Sequence, residues 1–253
     1  MREGHARCEE GVVATLRDLF ARQRDYAATD GDDFLDAAQN ARLVANAEAY
    51  YRAMYHGSAA SWNLRDEHMF DTLDLLMRTK GPGAKAVVWA HNSHIGDARF
   101  TDMGESRDEL NLGQLARENY GEEACLIGFG THTGTVAAAD DWDAPMKIKA
   151  INPSRPDSYE RLAHDSGVER FLLDLREGAH DELRDQLMEQ RLERFIGVIY
   201  RPDTERWSHY SLASLPAQFD AFVWFDTTSA VTPLAAPERH EEAGAEDTYP
   251  FGL

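Results

Sequence analysis

Two histidines stand three positions apart within residues 89–97, which read Trp-Ala-His-Asn-Ser-His-Ile-Gly-Asp. The imidazoles of His91 and His94 have an unperturbed pKa near roughly 6.5, which suits proton transfer at neutral pH. Either ring could take a proton from water or stabilise a developing oxyanion, and the Asn92 amide could donate to that oxyanion. The density of polar groups favours chemistry here over a purely structural role in a loop.

A metal site is the rival chemical interpretation of the same histidine pair. An HxxH spacing can offer two imidazoles to a zinc ion. The segment holds no cysteine and no glutamate of the HExxH type, so the metal interpretation ranks lower. We therefore predict no metal and no cofactor.

A second polar cluster occupies residues 61–69, about one helix upstream of the histidines. Arg65 is a forked donor suited to a carboxyl or carbonyl group, and Asp66 could orient an imidazole. A surface ion pair near the start of a helix accounts for the same two residues. Taken by themselves, the residues favour that structural interpretation.

Two further polar loops could line a pocket for an organic ligand. Residues 128–135 combine glycines and hydroxyls around His132, which either contacts a ligand or packs. Residues 200–210 hold two arginines, two acids and several aromatic rings, and Trp207, His209 and Tyr210 are the candidate substrate contacts there. A structured loop held by arginine–carboxylate pairs is an equal alternative for the second segment.

Short apolar runs predict the strands that position three of these clusters. The runs lie at residues 86–90, 124–129, 170–175, 195–200 and 221–225. Helical stretches lie between them at residues 112–119, 158–166 and 179–189. Strands that alternate with helices predict an α/β fold with a largely parallel sheet, and ligands of such sheets bind at the carboxyl ends of the strands.

The first part of the chain has helical spacing instead. Apolar residues recur at helical intervals in residues 9–26 and 34–55, and a third helix, capped by Ser61 or Asn63, extends to Met77. We predict a helical subdomain over residues 1–83, an α/β core over 84–234, and a disordered acidic tail over 235–253.

Composition excludes several classes of function. The 26 basic and 45 acidic residues give a net charge of −19, which repels nucleic acid and anionic membranes. No apolar run reaches the roughly 20 residues of a membrane helix, and no signal peptide is visible. The two cysteines are typical of reduced thiols, so we expect a cytoplasmic protein. The absence of a G-x-S-x-G elbow gives no support to a serine nucleophile.

Several ordered blocks of the sequence resemble the erythromycin esterase family. The blocks are residues 38–46, 61–66, 88–97, 111–115, 128–136, 208–210 and 218–221. The resemblance implies a three-layer α/β/α fold, with a mainly parallel sheet and an inserted helical subdomain. It also implies hydrolysis of macrolide lactone esters by histidine-activated water, an antibiotic-resistance activity that requires neither a covalent serine nor a metal.

The resemblance also assigns roles to individual residues. His91 and His94 match active-site histidines of the family, Arg65 and Asp66 match its Arg-Asp motif, and His209 falls in another family block. Family members carry a further N-terminal segment with a Gly-Glu-x-x-His-like motif, which this sequence does not contain. We therefore predict the C-terminal portion of an esterase-like hydrolase acting on a small-molecule ester, with a catalytically impaired binding homologue as the alternative.

Overall fold

The computed structural model describes residues 31–54 and 58–232. The helix predicted over residues 9–26 and the tail predicted over 235–253 lie outside the described residues. The chain divides into two compact units. The first runs to Ala90 and includes Asp97–Arg99 and Met103–Ala124; the second includes His91–Gly96, Phe100–Asp102 and the chain from Cys125 onward. The boundaries predicted at residues 83 and 234 stay predictions.

The first unit is helical among its described residues. Helix α1 spans Gly31–Met54 and packs against helix α2, Ser58–Lys80, which confirms the two long helices predicted here. Because α2 begins before Ser61, the predicted cap residues lie inside the helix. Helix α2 ends at Lys80, and the next residue, Gly81, has a φ of 90°, in the left-handed region that favours glycine after a helix.

The strand predicted at residues 86–90 is wrong. These residues form neither helix nor strand, and the side chains of Val87 and Trp89 are 92% and 86% exposed. An apolar run becomes a buried strand only where neighbouring strands extend its ladder of hydrogen bonds, and no ladder within the described residues includes this run. Residues 86–90 therefore have the composition of a buried strand but form an exposed segment.

Three short helices follow this segment along the chain. They are α3 at Asn92–Ile95, α4 at Asp102–Arg107 and α5 at Leu112–Tyr120. Asn111 caps α5 with its side-chain oxygen, which accepts a hydrogen bond from the Gln114 amide at 2.9 Å.

The second unit contains a mixed sheet, and its strands alternate with short helices along the chain. In chain order they are β1 Ile127–Ala138, β2 Lys147–Ile151, α6 Tyr159–Asp165, β3 Arg170–Asp174, α7 Asp181–Leu187, β4 Arg191–Arg194, α8 Glu205–Ser208, β5 Tyr210–Ala213, α9 Leu215–Gln218 and β6 Ala221–Thr228. Four strands form one sheet in the order β2-β1-β6-β3, while β4 and β5 form a separate antiparallel pair.

The mixed α/β class is confirmed, but the mainly parallel sheet is not. Strand β1 runs parallel to β6, whereas β2 pairs with β1 and β3 pairs with β6 in the antiparallel sense. The run at residues 195–200 is not a strand either; the strand lies just before it, at β4. Strand β2 escaped prediction because its lysines alternate with apolar residues, as in a half-exposed edge strand.

One face of the four-stranded sheet carries the core of the second unit. The buried cluster contains Leu126, Tyr159, Leu175, Leu215, Phe219, Phe222 and Trp224. Glycines on β1 admit these rings: a Cβ at Gly128 would lie 2.8 Å from the Phe219 ring, and one at Gly130 would lie 2.6 Å from the Phe222 ring. The sheet and the rings therefore hold the start of β1 in a single position.

Among the described residues, no helix combines the length and apolar character needed to cross a membrane.

Candidate active site

His91 caps the short helix α3 and has both ring nitrogens engaged. Its Nδ1 accepts a hydrogen bond from the Ser93 backbone N–H at 3.2 Å and lies 2.9 Å from Ser93 Oγ. Its Nε2 lies 3.0 Å from the Ile196 carbonyl oxygen. Because a backbone N–H only donates and a carbonyl only accepts, the proton of the neutral ring sits on Nε2 and the lone pair on Nδ1.

The surroundings keep the His91 ring neutral. Burial lowers the pKa of His91, and the neighbouring His94 and His209 lower it further, while the hydrogen bond to Ile196 opposes them. At neutral pH the ring is therefore an unprotonated imidazole, the form that a general base requires. His94 lies in the last turn of α3 and is partly exposed.

Asn92 ties α3 to strand β1. Its Nδ2 donates to the Phe129 carbonyl at 2.8 Å, and its Oδ1 accepts from the Phe129 N–H at 3.1 Å. The second Nδ2 proton is directed to Glu193 Oε1 at 3.2 Å. The Asn92 amide was predicted to donate to an oxyanion, but its hydrogen bonds instead anchor the histidine loop. The residue is 8% exposed.

The buried carboxyl of Glu193 is a component that sequence reasoning missed. Its Oε2 accepts from Gln218 Nε2 at 2.7 Å, and the residue is 0% exposed. Burial raises the pKa of Glu193 to about 8, with a contribution from the charge of Glu160. The Glu193 carboxyl is therefore largely protonated at neutral pH, directly behind the loop that carries His91.

Glu160, on α6, is a second buried carboxyl of this unit. Its Oε1 accepts from the Arg194 N–H at 2.8 Å, whereas its buried Oε2 has no hydrogen-bond partner among the described residues. Burial raises the pKa of Glu160 as well. Glu193 and Glu160 are thus two buried carboxyls whose charged forms are disfavoured by burial.

His132 lies in a second polar cluster of the same unit. Its Nδ1 accepts from the Ser154 N–H at 3.3 Å and lies 2.6 Å from Ser154 Oγ. The ring stacks on His164 with centroids 3.6 Å apart, and His164 Nδ1 lies 2.7 Å from Asp226 Oδ1. Burial, followed by the neighbouring His164, lowers the pKa of His132. One ring nitrogen and one ring face of His132 are therefore occupied by contacts within the chain.

In the aromatic loop after residue 200, some of the ring side chains are buried and hydrogen-bonded, and another is exposed. His209 accepts from the Arg201 N–H at Nε2, 2.9 Å away, and its Nδ1 lies 3.2 Å from the Phe195 carbonyl oxygen. Tyr210 is 7% exposed, and its hydroxyl accepts from a backbone N–H of Arg155 at 3.3 Å. Trp207, by contrast, is 83% exposed, so its ring is the accessible surface of this loop.

Arg65 and Asp66 belong to the first unit. Asp66 is 0% exposed, and its Oδ2 accepts from the Leu112 N–H at 3.1 Å at the start of α5. The Arg65 guanidinium lies 3.8 Å from the Asp66 carboxylate and 4.8 Å from the centre of the Trp62 ring. Within their own unit these residues hold helices together, and their role beside the histidines stays a prediction.

The family assignment rests on most of the sequence. Residues 1–228 match the erythromycin esterase family. The chain belongs to the erythromycin esterase family. The resemblance carried by the ordered sequence blocks is thereby confirmed.

Solved structures share the fold of this esterase-family chain. A succinoglycan biosynthesis protein matches with a TM-score of 0.69 at 19% identity, covering 89% of this chain and 50% of that protein. A protein from Bacillus cereus matches with a TM-score of 0.69 at 20% identity, covering 87% and 53%. A histidine-to-asparagine mutant of the erythromycin esterase EreC, in its open conformation, matches with a TM-score of 0.63 at 16% identity, covering 90% and 54%.

These matches are informative about architecture alone. At this level of identity a structural likeness shows the fold, because one fold supports many activities. The chain spans about half the length of each of these proteins.

Among the described residues of this esterase-family chain, the loop of residues 91–96 has the features of a reaction centre. It presents a neutral imidazole with a defined tautomer, a hydroxyl at 2.9 Å from that ring and a second, partly exposed imidazole. No group of three or more histidine, cysteine or acidic side chains suited to a metal ion occurs in the part of the chain that the structure describes.

Proposed function

We propose that this chain hydrolyses a carboxylic ester, specifically a lactone, with water activated by histidine. The observation that carries the proposal is the neutral His91 ring, whose burial lowers its pKa and whose Nε2–H is held by the Ile196 carbonyl. A base of this kind accepts a proton while water attacks the ester carbonyl. Family membership supports a hydrolase in general, and the loop supplies the particular chemistry.

The reaction proceeds without a covalent enzyme intermediate. The water oxygen bonds to the carbonyl carbon as its proton leaves toward His91, and a tetrahedral oxyanion forms. His94, the partly exposed neighbour, donates a hydrogen bond to that oxyanion. The intermediate then collapses, the carbon–oxygen bond to the alcohol breaks, and the departing alkoxide takes the proton back from His91. The net change is the addition of one water across the ester.

A macrolide lactone is the substrate class we propose. The family and the EreC structure both point to such compounds. The net charge of −19 attracts a substrate that carries a protonated amino sugar, and the exposed Trp207 ring offers an apolar contact for its ring system. His132, His209 and Tyr210 direct most of their polar atoms inward, so we assign them a smaller part in binding.

Ligand binding without turnover is the second candidate function. Both ring nitrogens of His91 are hydrogen-bonded within the chain, and the chain spans about half the length of the solved relatives. A site that lacks a further catalytic group would bind the ester and release it unchanged.

Mass spectrometry of a macrolide incubated with the purified chain separates the two functions. We expect the product to be heavier by one water, and we expect His91→Ala and His94→Ala to abolish its formation. His180→Ala, at an exposed histidine on α7's N-terminal side, serves as the control and should leave the rate unchanged. Binding detected by calorimetry with no product from the unaltered chain would refute hydrolysis and support the binding function.

A further inference from the structure

The basic nitrogen of His91 faces another residue of the same loop. The neutral ring has one lone pair, on Nδ1, and the two groups directed at it are the Ser93 N–H at 3.2 Å and the Ser93 hydroxyl at 2.9 Å. The opposite nitrogen, Nε2, donates a hydrogen bond to the Ile196 carbonyl oxygen at 3.0 Å. A base can remove a proton only from a group within hydrogen-bond reach, and here the exchangeable proton belongs to Ser93.

We propose that the Ser93 hydroxyl is a proton relay between the attacking water and His91. The inference rests on the proposed ester hydrolysis and deepens it. The Ser93 Oγ–H bond breaks as its proton moves to His91 Nδ1, and Oγ takes a proton from the water whose oxygen bonds to the carbonyl carbon. When the ester carbon–oxygen bond breaks, the departing alkoxide regains the proton from His91 through Ser93, so both residues return to their starting state.

The Ile196 carbonyl completes the relay. As Nδ1 becomes protonated, the ring gains a positive charge, which the carbonyl oxygen at Nε2 stabilises. An acceptor on the second nitrogen of a catalytic imidazole has the same effect in serine hydrolases, where it also selects the tautomer.

The relay is held rigidly by the elements around it. Asn92 makes two hydrogen bonds to the backbone of Phe129, which ties α3 to β1. After the helix, Gly96 lies against Phe219 so closely that a Cβ there would be 2.8 Å from the ring. The Ser93 hydroxyl is therefore kept at hydrogen-bond distance without a large loss of entropy in the reaction.

A nucleophilic Ser93 is the alternative to the relay, and the sequence has no G-x-S-x-G elbow to support it. An acyl-serine intermediate needs donors for the oxyanion that forms beside the serine. The neighbouring Asn92 amide, the natural candidate, directs both of its protons elsewhere, to Phe129 and to Glu193. The oxyanion therefore depends on another donor, such as His94, whether water or serine attacks, and mass spectrometry of the quenched enzyme distinguishes the two mechanisms.

Kinetics of single and double variants test the relay. We expect Ser93→Ala to lower kcat by about 10²–10⁴-fold with little change in KM, because an acid–base contribution of this size is lost. Ser93→Thr, which keeps the hydroxyl, should restore most of the rate. The double variant with His91→Ala should be no slower than His91→Ala alone, since both residues serve one proton path. Ser166→Ala, at an exposed serine in the same unit, is the matched control.

Two measurements keep the inference falsifiable whatever happens to folding. Imidazole NMR of the unaltered chain should show His91 as the Nε2–H tautomer, and a proton on Nδ1 would overturn the relay. Mass spectrometry of acid-quenched enzyme should show no acyl group on Ser93, and an adduct there would overturn the relay in favour of a nucleophile.

The outcomes also separate this inference from the proposed function. A Ser93→Ala variant with unaltered kcat, beside an inactive His91→Ala variant, would overturn the relay and leave ester hydrolysis intact. An unaltered chain that hydrolyses no ester would overturn the proposed function and the relay together.

Discussion

Replacing Glu193 with glutamine should change how the stability of the chain depends on pH. The carboxyl is fully buried between amide donors of Asn92 and Gln218, and burial raises its pKa from an ordinary 4.5 to about 8. Each unit of pKa corresponds to roughly 1.4 kcal/mol, so the whole difference is worth roughly 5 kcal/mol of unfolding free energy.

The sign follows from proton binding in the two states. Between pH 4.5 and about 8 the folded chain keeps a proton on Glu193 that the unfolded chain has lost. The unfolding free energy of the unaltered chain therefore falls as pH rises through this window, and it levels off above the folded pKa. Glutamine does not titrate, so the variant lacks this decline.

Glutamine also introduces a small, pH-independent cost. Its side-chain NH₂ group would face the amide donor of Asn92 or Gln218. One hydrogen bond is then lost, which costs about 1 kcal/mol of unfolding free energy. We expect Glu193→Gln to be slightly less stable than the unaltered chain at about pH 5 and more stable by several kcal/mol at about pH 9. The two stability curves should cross.

Urea unfolding followed by tryptophan fluorescence measures both curves. Glu182→Gln, at an exposed position of α7, makes the same chemical change without burial and should follow the unaltered chain throughout. Parallel curves for Glu193→Gln and the unaltered chain from about pH 5 to about pH 9 would refute a protonated carboxyl at this position.

Two further predictions concern packing and the base. Gly128→Ala should lower the unfolding free energy by about 1–3 kcal/mol in urea titrations, because its Cβ would lie 2.8 Å from the Phe219 ring. Gly197→Ala, where a Cβ meets nothing within 4 Å, is its control. The rate kcat/KM should stay high until the pH falls below the ordinary histidine value of 6.5, because burial lowers the pKa of His91; a midpoint above that value in the pH–rate profile would contradict the assignment.

Local patterns were sufficient to predict much of the secondary structure. The apolar runs at residues 170–175 and 221–225 became strands, and the helical spacing of residues 112–119 became a helix with Asn111 as its cap. In each case the signal lies within the segment itself. The prediction of a mainly parallel sheet was wrong about two antiparallel pairs. The relative direction of two strands depends on pairing between segments that are distant in the sequence.

The run at residues 86–90 shows the limit of such patterns. Its composition is that of a buried strand, yet Val87 is 92% exposed, because burial depends on other parts of a fold.

The hydrogen bonds around His91 could not be predicted from the local sequence. The spacing of His91 and His94 predicts a reactive loop at these residues, which stays a prediction, and Ser93 lies between the two histidines. The tautomer of His91 depends on Ile196, which lies 105 positions away, so no local pattern could reveal it. The same holds for Glu193, whose role depends on Asn92 at a separation of 101 positions.

Hydrolysis in water enriched in heavy oxygen tests the central claim most directly. The unaltered chain, incubated with a macrolide lactone, should yield an acid that carries one heavy oxygen, while His91→Ala should yield none above the uncatalysed background. Labelled acid formed at the same rate by both proteins would contradict a mechanism in which His91 activates water.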